Sequence, residues 1–186
     1  MAHPTSSQFC LSGDGAIFDR SGDFRYILWR NFRADSHSNF LSIVMLNPSQ
    51  ADANFDDPTI KSCRRLALTN GFEGFIVTNL YAFCTPYPHA LFREGARFTA
   101  SRERQTDKYI ALSREHSRAT LLAWGAKLGP ADFARRSQKR IRQVLDIVGR
   151  HNAYVLGLTQ DGHPRHPLYV AAQTKLAPLP QDFYLL

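Results

Sequence analysis

The 186-residue chain predicts a three-layer α/β/α fold with a central four-stranded parallel sheet and an added strand at the N-terminal edge. Three observations lead there. Four short apolar runs, at residues 41–46 (LSIVML), 75–80 (FIVTNL), 119–124 (ATLLAW) and 153–158 (AYVLGL), lack the polar alternation of half-exposed strands and read as strands covered on both faces. The intervals between them each carry a helical pattern, and repeated strand–helix–strand units close by right-handed crossovers into a parallel sheet. Length and composition, with 44% hydrophobic and 21% charged residues, suit one globular core, so residues 1–186 are expected to form a single domain centred on about 24–170.

In chain order, residues 24–32 (FRYILWRNF) come first, as the antiparallel edge strand. After the 41–46 run, Asp57 is placed to cap a helix whose first residue is Pro58, with Ile60, Cys63 and Ala67 on one face and Asn70-Gly71 at its end. After the 75–80 run, Ser101 can cap a charged helix reaching about His116. After the third run, Ile141, Val144, Leu145 and Val148 keep helical spacing and Gly149 closes the helix. The tail, with Pro178 and Pro180, is expected to lie irregularly over the surface.

No apolar run is long enough for a membrane span, and the first residues lack the apolar stretch of a signal peptide. Three scattered cysteines, Cys10, Cys63 and Cys84, form no disulfide framework or metal cluster, so reduced thiols, a cytoplasmic setting, no metal and no cofactor are expected. The net charge is +7, and Arg outnumbers Lys 18 to 5. Between Arg93 and Arg142 stand 13 basic and 5 acidic residues, a surface suited to phosphate. A solvated basic face that serves solubility alone would have the same composition.

Open parallel sheets bind ligands beyond the carboxyl ends of their strands, which makes the residues just after each run the candidates. Pro48 drives Asn47 towards an extended conformation and holds its amide at a strand mouth beside Ser49, although Asn-Pro-Ser is also an ordinary turn. Asn79, at the end of the second run and followed by Tyr81, could pair with a nucleobase edge or be a satisfied structural amide. Trp124-Gly125 follows the third run. The fourth leads into two His-Pro pairs, His163-Pro164 and His166-Pro167, whose imidazoles could meet developing negative charge or stand in a rigid exposed turn.

The succession Val44-Met45-Leu46-Asn47-Pro48-Ser49, Asp57-Pro58-Thr59, Val77-Thr78-Asn79-Leu80 and His166-Pro167-Leu168-Tyr169 closely resembles a bacterial and phage family, domain of unknown function 1643. That resemblance implies no activity. The order of pieces is more distantly similar to the uracil-DNA glycosylase superfamily, which implies a four-stranded parallel sheet between helices. On that likeness Asn47 would position the attacking water, Asn79 would read the base edge, and His166, or alternatively His163, would face the departing base. Asn47 stands where the best-known branch has an aspartate and cannot act as a base.

The implied activity is that of a DNA glycosylase-like hydrolase, cleaving the N-glycosidic bond of a damaged or modified base. Catalytic roles fall to Asn47, His166 and His163. Substrate contacts fall to Pro48, Ser49, Asn79, Tyr81 and Phe55, with Leu168 or Tyr169 wedging into the stack once the base is flipped. Arg135, Arg136, Lys139, Arg140, Arg142 and Arg165 would hold DNA phosphates. Asp52, Asp56 or Asp57 could activate water, but capping is the simpler role for Asp57. Two other readings stand beside this one: a nucleic-acid-binding module without catalysis, and a hydrolase of free nucleosides or nucleotides.

Overall fold

The computed structural model describes residues 9–33, 38–93, 99–125 and 129–183. Its sheet has seven strands in the order β1-β2-β4-β3-β5-β6-β7: β1 (Gly15–Phe18), β2 (Arg25–Asn31), β3 (Phe40–Met45), β4 (Gly74–Asn79), β5 (Ala119–Leu122), β6 (Ala153–Val155) and β7 (Ala177–Pro178). The expected fold is corrected here. The sheet is mixed, because β1 against β2, β2 against β4, and β6 against β7 all run antiparallel. Only β4-β3-β5-β6 in the middle are parallel. A simple four-stranded parallel core of the uracil-DNA glycosylase kind is therefore not what this chain builds.

Two errors of reading explain the difference. The 24–32 segment is not an edge, since β2 lies between β1 and β4; the true edge, GAIF, is too short to show alternation. The tail is not wholly irregular either. Ala177 and Pro178 pair with Val155 and Tyr154 at the other edge, where the lost proline N–H is tolerated.

Helix α1 (Pro58–Thr69) packs on one face of the sheet with Leu41, Ile43, Phe75, Val77 and Leu121. Asp57 caps it as expected, accepting the Ile60 N–H at 2.9 Å. Helices α3 (Ala100–Glu115) and α4 (Ala131–Val148) cover the opposite face, while α2 (Pro88–Arg93) is a short turn of helix before them. The cap of α3 is Thr99, not Ser101: the Thr99 hydroxyl accepts from Arg102 N at 3.3 Å. Gly149 ends α4 with φ +78°, donating its N–H to the Leu145 carbonyl.

The long connection from β3 to α1 is tied down by a buried arginine. Arg30 of β2 donates Nε to Asp56 Oδ1 and Nη2 to the Asp52 carbonyl, both at 2.7 Å. This fixes the loop that leads into the helix N-terminus and shapes the site below. Among the described residues no helix is long and apolar enough to cross a membrane.

Candidate functional site

A cleft of about 460 Å³ opens at the carboxyl ends of β3 and β5. Its walls come from five places: Arg25 at the start of β2; Leu46, Asn47, Ser49 and Gln50 after β3; the N-terminus of α1 from Asp57 to Ile60; Thr85-Pro86; and Trp124-Gly125 with His166, Leu168 and Tyr169. This is the rim at which an α/β sheet is expected to hold a ligand.

The backbone brings His166 there by pinning two loops together. Gly125 N donates to the Pro164 carbonyl at 2.9 Å, and Arg165 N donates to the Gly157 carbonyl at 3.0 Å. Gly125 has φ +82°, and a Cβ at that position would stand 3.3 Å from the His166 Cβ. A glycine thus supplies both the left-handed turn and the close approach.

The His166 Nδ1 accepts the Leu168 N–H at 3.2 Å. Burial lowers the imidazole pKa to about 4, and the Asp57 carboxylate offsets this only in part. At neutral pH the ring is therefore uncharged and, with Nδ1 used as an acceptor, carries its proton on Nε2. Tyr169 packs its ring 5.7 Å from that of His166 and is 79% exposed at the rim.

Asn47 is held just as firmly. Its Nδ2 donates to the carbonyls of Pro48 and Thr85, each at 2.8 Å, so both amide protons are engaged and Oδ1 is the atom left for a ligand or water. Asp57, the only carboxylate among the described lining residues, spends Oδ1 on the Ile60 N–H.

Of the sequence-predicted site residues, the cleft brings together Asn47, Ser49, His166, Leu168 and Tyr169. It does not include the others. Pro48 is buried beneath the rim. Asn79 is buried beside Met45 on the α1 face, outside the cleft lining, with neither amide atom hydrogen-bonded. Tyr81 lies on the opposite face, its hydroxyl 3.0 Å from Ser137 Oγ and its ring against Phe133. Phe55 is exposed outside the cleft, and His163, whose pKa burial also lowers, sits in the turn that precedes it.

None of the six expected phosphate-binding residues lines the cleft. Arg140 is buried, where it pairs with Asp107 and donates Nε to the Leu80 carbonyl at 2.8 Å. Arg136 pairs with Glu103 at 3.0 Å, and Arg135 with Asp132. Arg165 donates Nε to the Leu158 carbonyl, while Lys139 and Arg142 are exposed on α4. Arg97 and Lys127, also of the basic segment, lie outside the described residues.

Sequence reasoning missed Arg25 and Thr85. A charged residue opening a strand whose middle, Tyr26–Trp29, is apolar or aromatic was the available signal for Arg25; Thr85 carried none.

The chain belongs to the family described as protein of unknown function (DUF1643), whose model matches residues 25–168, from the first arginine of the cleft to its rim leucine. No curated protein and no solved structure matches, so the expected relation to uracil-DNA glycosylases finds no support from that side. Among the described residues no group of histidine, cysteine, aspartate and glutamate side chains is arranged to hold a metal ion.

Proposed function

We propose that the cleft hydrolyses an N-glycosidic bond, releasing a damaged or modified base from DNA. The observation that carries the reading is the meeting of a neutral imidazole and a fixed amide oxygen, far apart in sequence, in one cleft. Breaking the bond sends its electron pair to the base and leaves a cation-like sugar, to which water adds, the proton it gives up passing through solvent to the departing base. The His166 Nε2–H can donate to the oxygen where charge collects on the base, while Asn47 Oδ1 accepts from the water and orients it. Asp57 puts negative charge where the sugar turns positive. The cleft volume lies within the ordinary range for small-ligand sites. Leu168 and Tyr169, exposed at the rim, are suited to fill the gap left by a flipped base.

A panel of oligonucleotides with uracil, deaminated and phage-type modified bases, assayed for free base and alkali-labile abasic sites, tests this. His166→Ala is expected to lower base release by roughly 10²–10³-fold, and Asn47→Ala is expected to lower it as well. Binding to the oligonucleotides without abasic product from any of them would leave a binding module.

The second reading, hydrolysis of free nucleosides or nucleotides, is favoured by one observation: ion pairs within α3 and α4 already hold Arg136 and Arg140. Base release from mononucleotides and none from oligonucleotides would decide for it.

A further inference from the structure

Among the described residues three arginines are almost wholly buried, Arg25, Arg30 and Arg140, each 1–2% exposed. Arg30 meets Asp56, and Arg140 meets Asp107. Among the described residues Arg25 meets no carboxylate within ion-pairing distance, and Asp57 acts on it only from further off. Its Nη1 donates to the Ala51 carbonyl at 2.7 Å and its Nε is buried with no partner. An isolated buried charge is costly, and guanidinium groups in protein interiors are ordinarily paired. Burial lowers the Arg25 pKa only to about 10, so the group remains a cation at neutral pH.

Arg25 lines the cleft. Trp124 lines it as well, with its indole in the hydrophobic cluster that α3 and α4 cover. The charge opposing an anion there is that of Asp57, which stands against the N-terminal end of α1 and is partly offset by the helix dipole.

We infer that Arg25 is the centre of a phosphate-binding site in the cleft, so that the natural ligand carries a phosphate group. With Nη1 held by Ala51, the guanidinium edge that remains suits two oxygens of a phosphate. The phosphate could be that of a free nucleotide or that of a nucleic-acid strand. The inference concerns binding and stands whether or not the cleft cleaves an N-glycosidic bond.

Titrating the full-length protein separately with inorganic phosphate, a nucleoside, the matching nucleoside 5′-monophosphate and a short single-stranded oligonucleotide tests it. The nucleotide or the oligonucleotide is expected to bind at least about tenfold more tightly than the nucleoside. Arg25→Met is expected to remove that difference, and Arg25→Lys to restore part of it. A preference for the monophosphate identifies a free nucleotide, and a preference for the oligonucleotide identifies a strand phosphate. Equal binding of nucleoside and both phosphate-bearing probes, or an unchanged preference in Arg25→Met protein with a native circular dichroism spectrum, overturns the inference. Base-release activity, measured in parallel, reports on the catalytic reading alone.

Discussion

Arg140 and Arg25 lie on opposite faces of one sheet, equally buried and oppositely treated. On the α3–α4 face Arg140 is neutralised by Asp107 and hydrogen-bonded to the Leu80 carbonyl, so its charge has become part of the scaffold. On the α1 face Arg25 has one backbone acceptor and an open cleft in front of it. The comparison separates two uses of basic residues that composition cannot tell apart. Within the richest basic segment Arg136 and Arg140 tie α4 to α3, and an arginine outside that segment lines the cleft.

Breaking the scaffold pair has the largest expected effect. Asp107→Ala leaves the Arg140 charge buried without a counter-charge, and a loss of about 3 kcal/mol is expected in urea unfolding, the low end for a broken buried pair because Asp107 is itself one-third exposed. Arg25→Met should behave in the opposite way. It removes a charge that has no ion-paired carboxylate and only the longer-range field of Asp57 to offset it, and keeps much of the side-chain volume, so stability should change by no more than about 1 kcal/mol. Equal losses in the two variants would mean that Arg25 is structural after all.

Acid sharpens the contrast further. Above pH 6.5 His166 is neutral both in the fold and in the unfolded chain and contributes nothing. As pH falls from 6.5 towards about 4, the unfolded chain takes up the proton first, and the fold loses stability across that window. If base release requires the neutral ring, its acid limb should lie near pH 4. A limb near 6.5 would show that the imidazole is open to water.

How much of this was legible in the residues varies by element for physical reasons. The four parallel strands, the Asp57-Pro58 cap and the α4 stripe of Ile141, Val144, Leu145 and Val148 follow from local pattern, and all are present. The convergence of Asn47 and His166 was also accessible, because strand ends of a parallel sheet share one rim. Strand β1, with four residues, and β7, with two, were not, since pairing at an edge is decided by neighbours distant in sequence. Asn79 misled for a related reason. Its position at a strand end is correct, but alternation after Phe75 and Val77 turns its side chain into the α1-facing core and behind Met45. Arg140 misled because charge in a sequence does not show which guanidinium will find a buried carboxylate.

A smaller effect is expected where the cleft meets the turn that carries its histidine. Gly125→Ala places a β-carbon in a left-handed conformation and within 3.3 Å of the His166 Cβ. A cost of about 1–2 kcal/mol is expected from the backbone. Because the strain falls on the residue beside His166, base release should fall by more than the loss of stability explains under conditions where the variant is folded. Phosphate binding through Arg25, on another wall, should persist. Loss of both together would show that the cleft is one cooperative unit.

The smallest effect on stability belongs to Asp57→Asn. Asparagine caps a helix about as well as aspartate, so the bond to the Ile60 N–H is kept and unfolding should shift by no more than about 0.5 kcal/mol. The charge facing the cleft is lost nonetheless. Phosphate should then bind severalfold more tightly, since only Asp57 among the lining residues repels it. The His166 pKa should move further down, since that carboxylate raises it. Base release should fall, because the cation-like sugar loses its counter-charge. Opposite movement of binding and turnover, at nearly constant stability, is what distinguishes a charge placed for chemistry from one placed, like Asp107, for the fold.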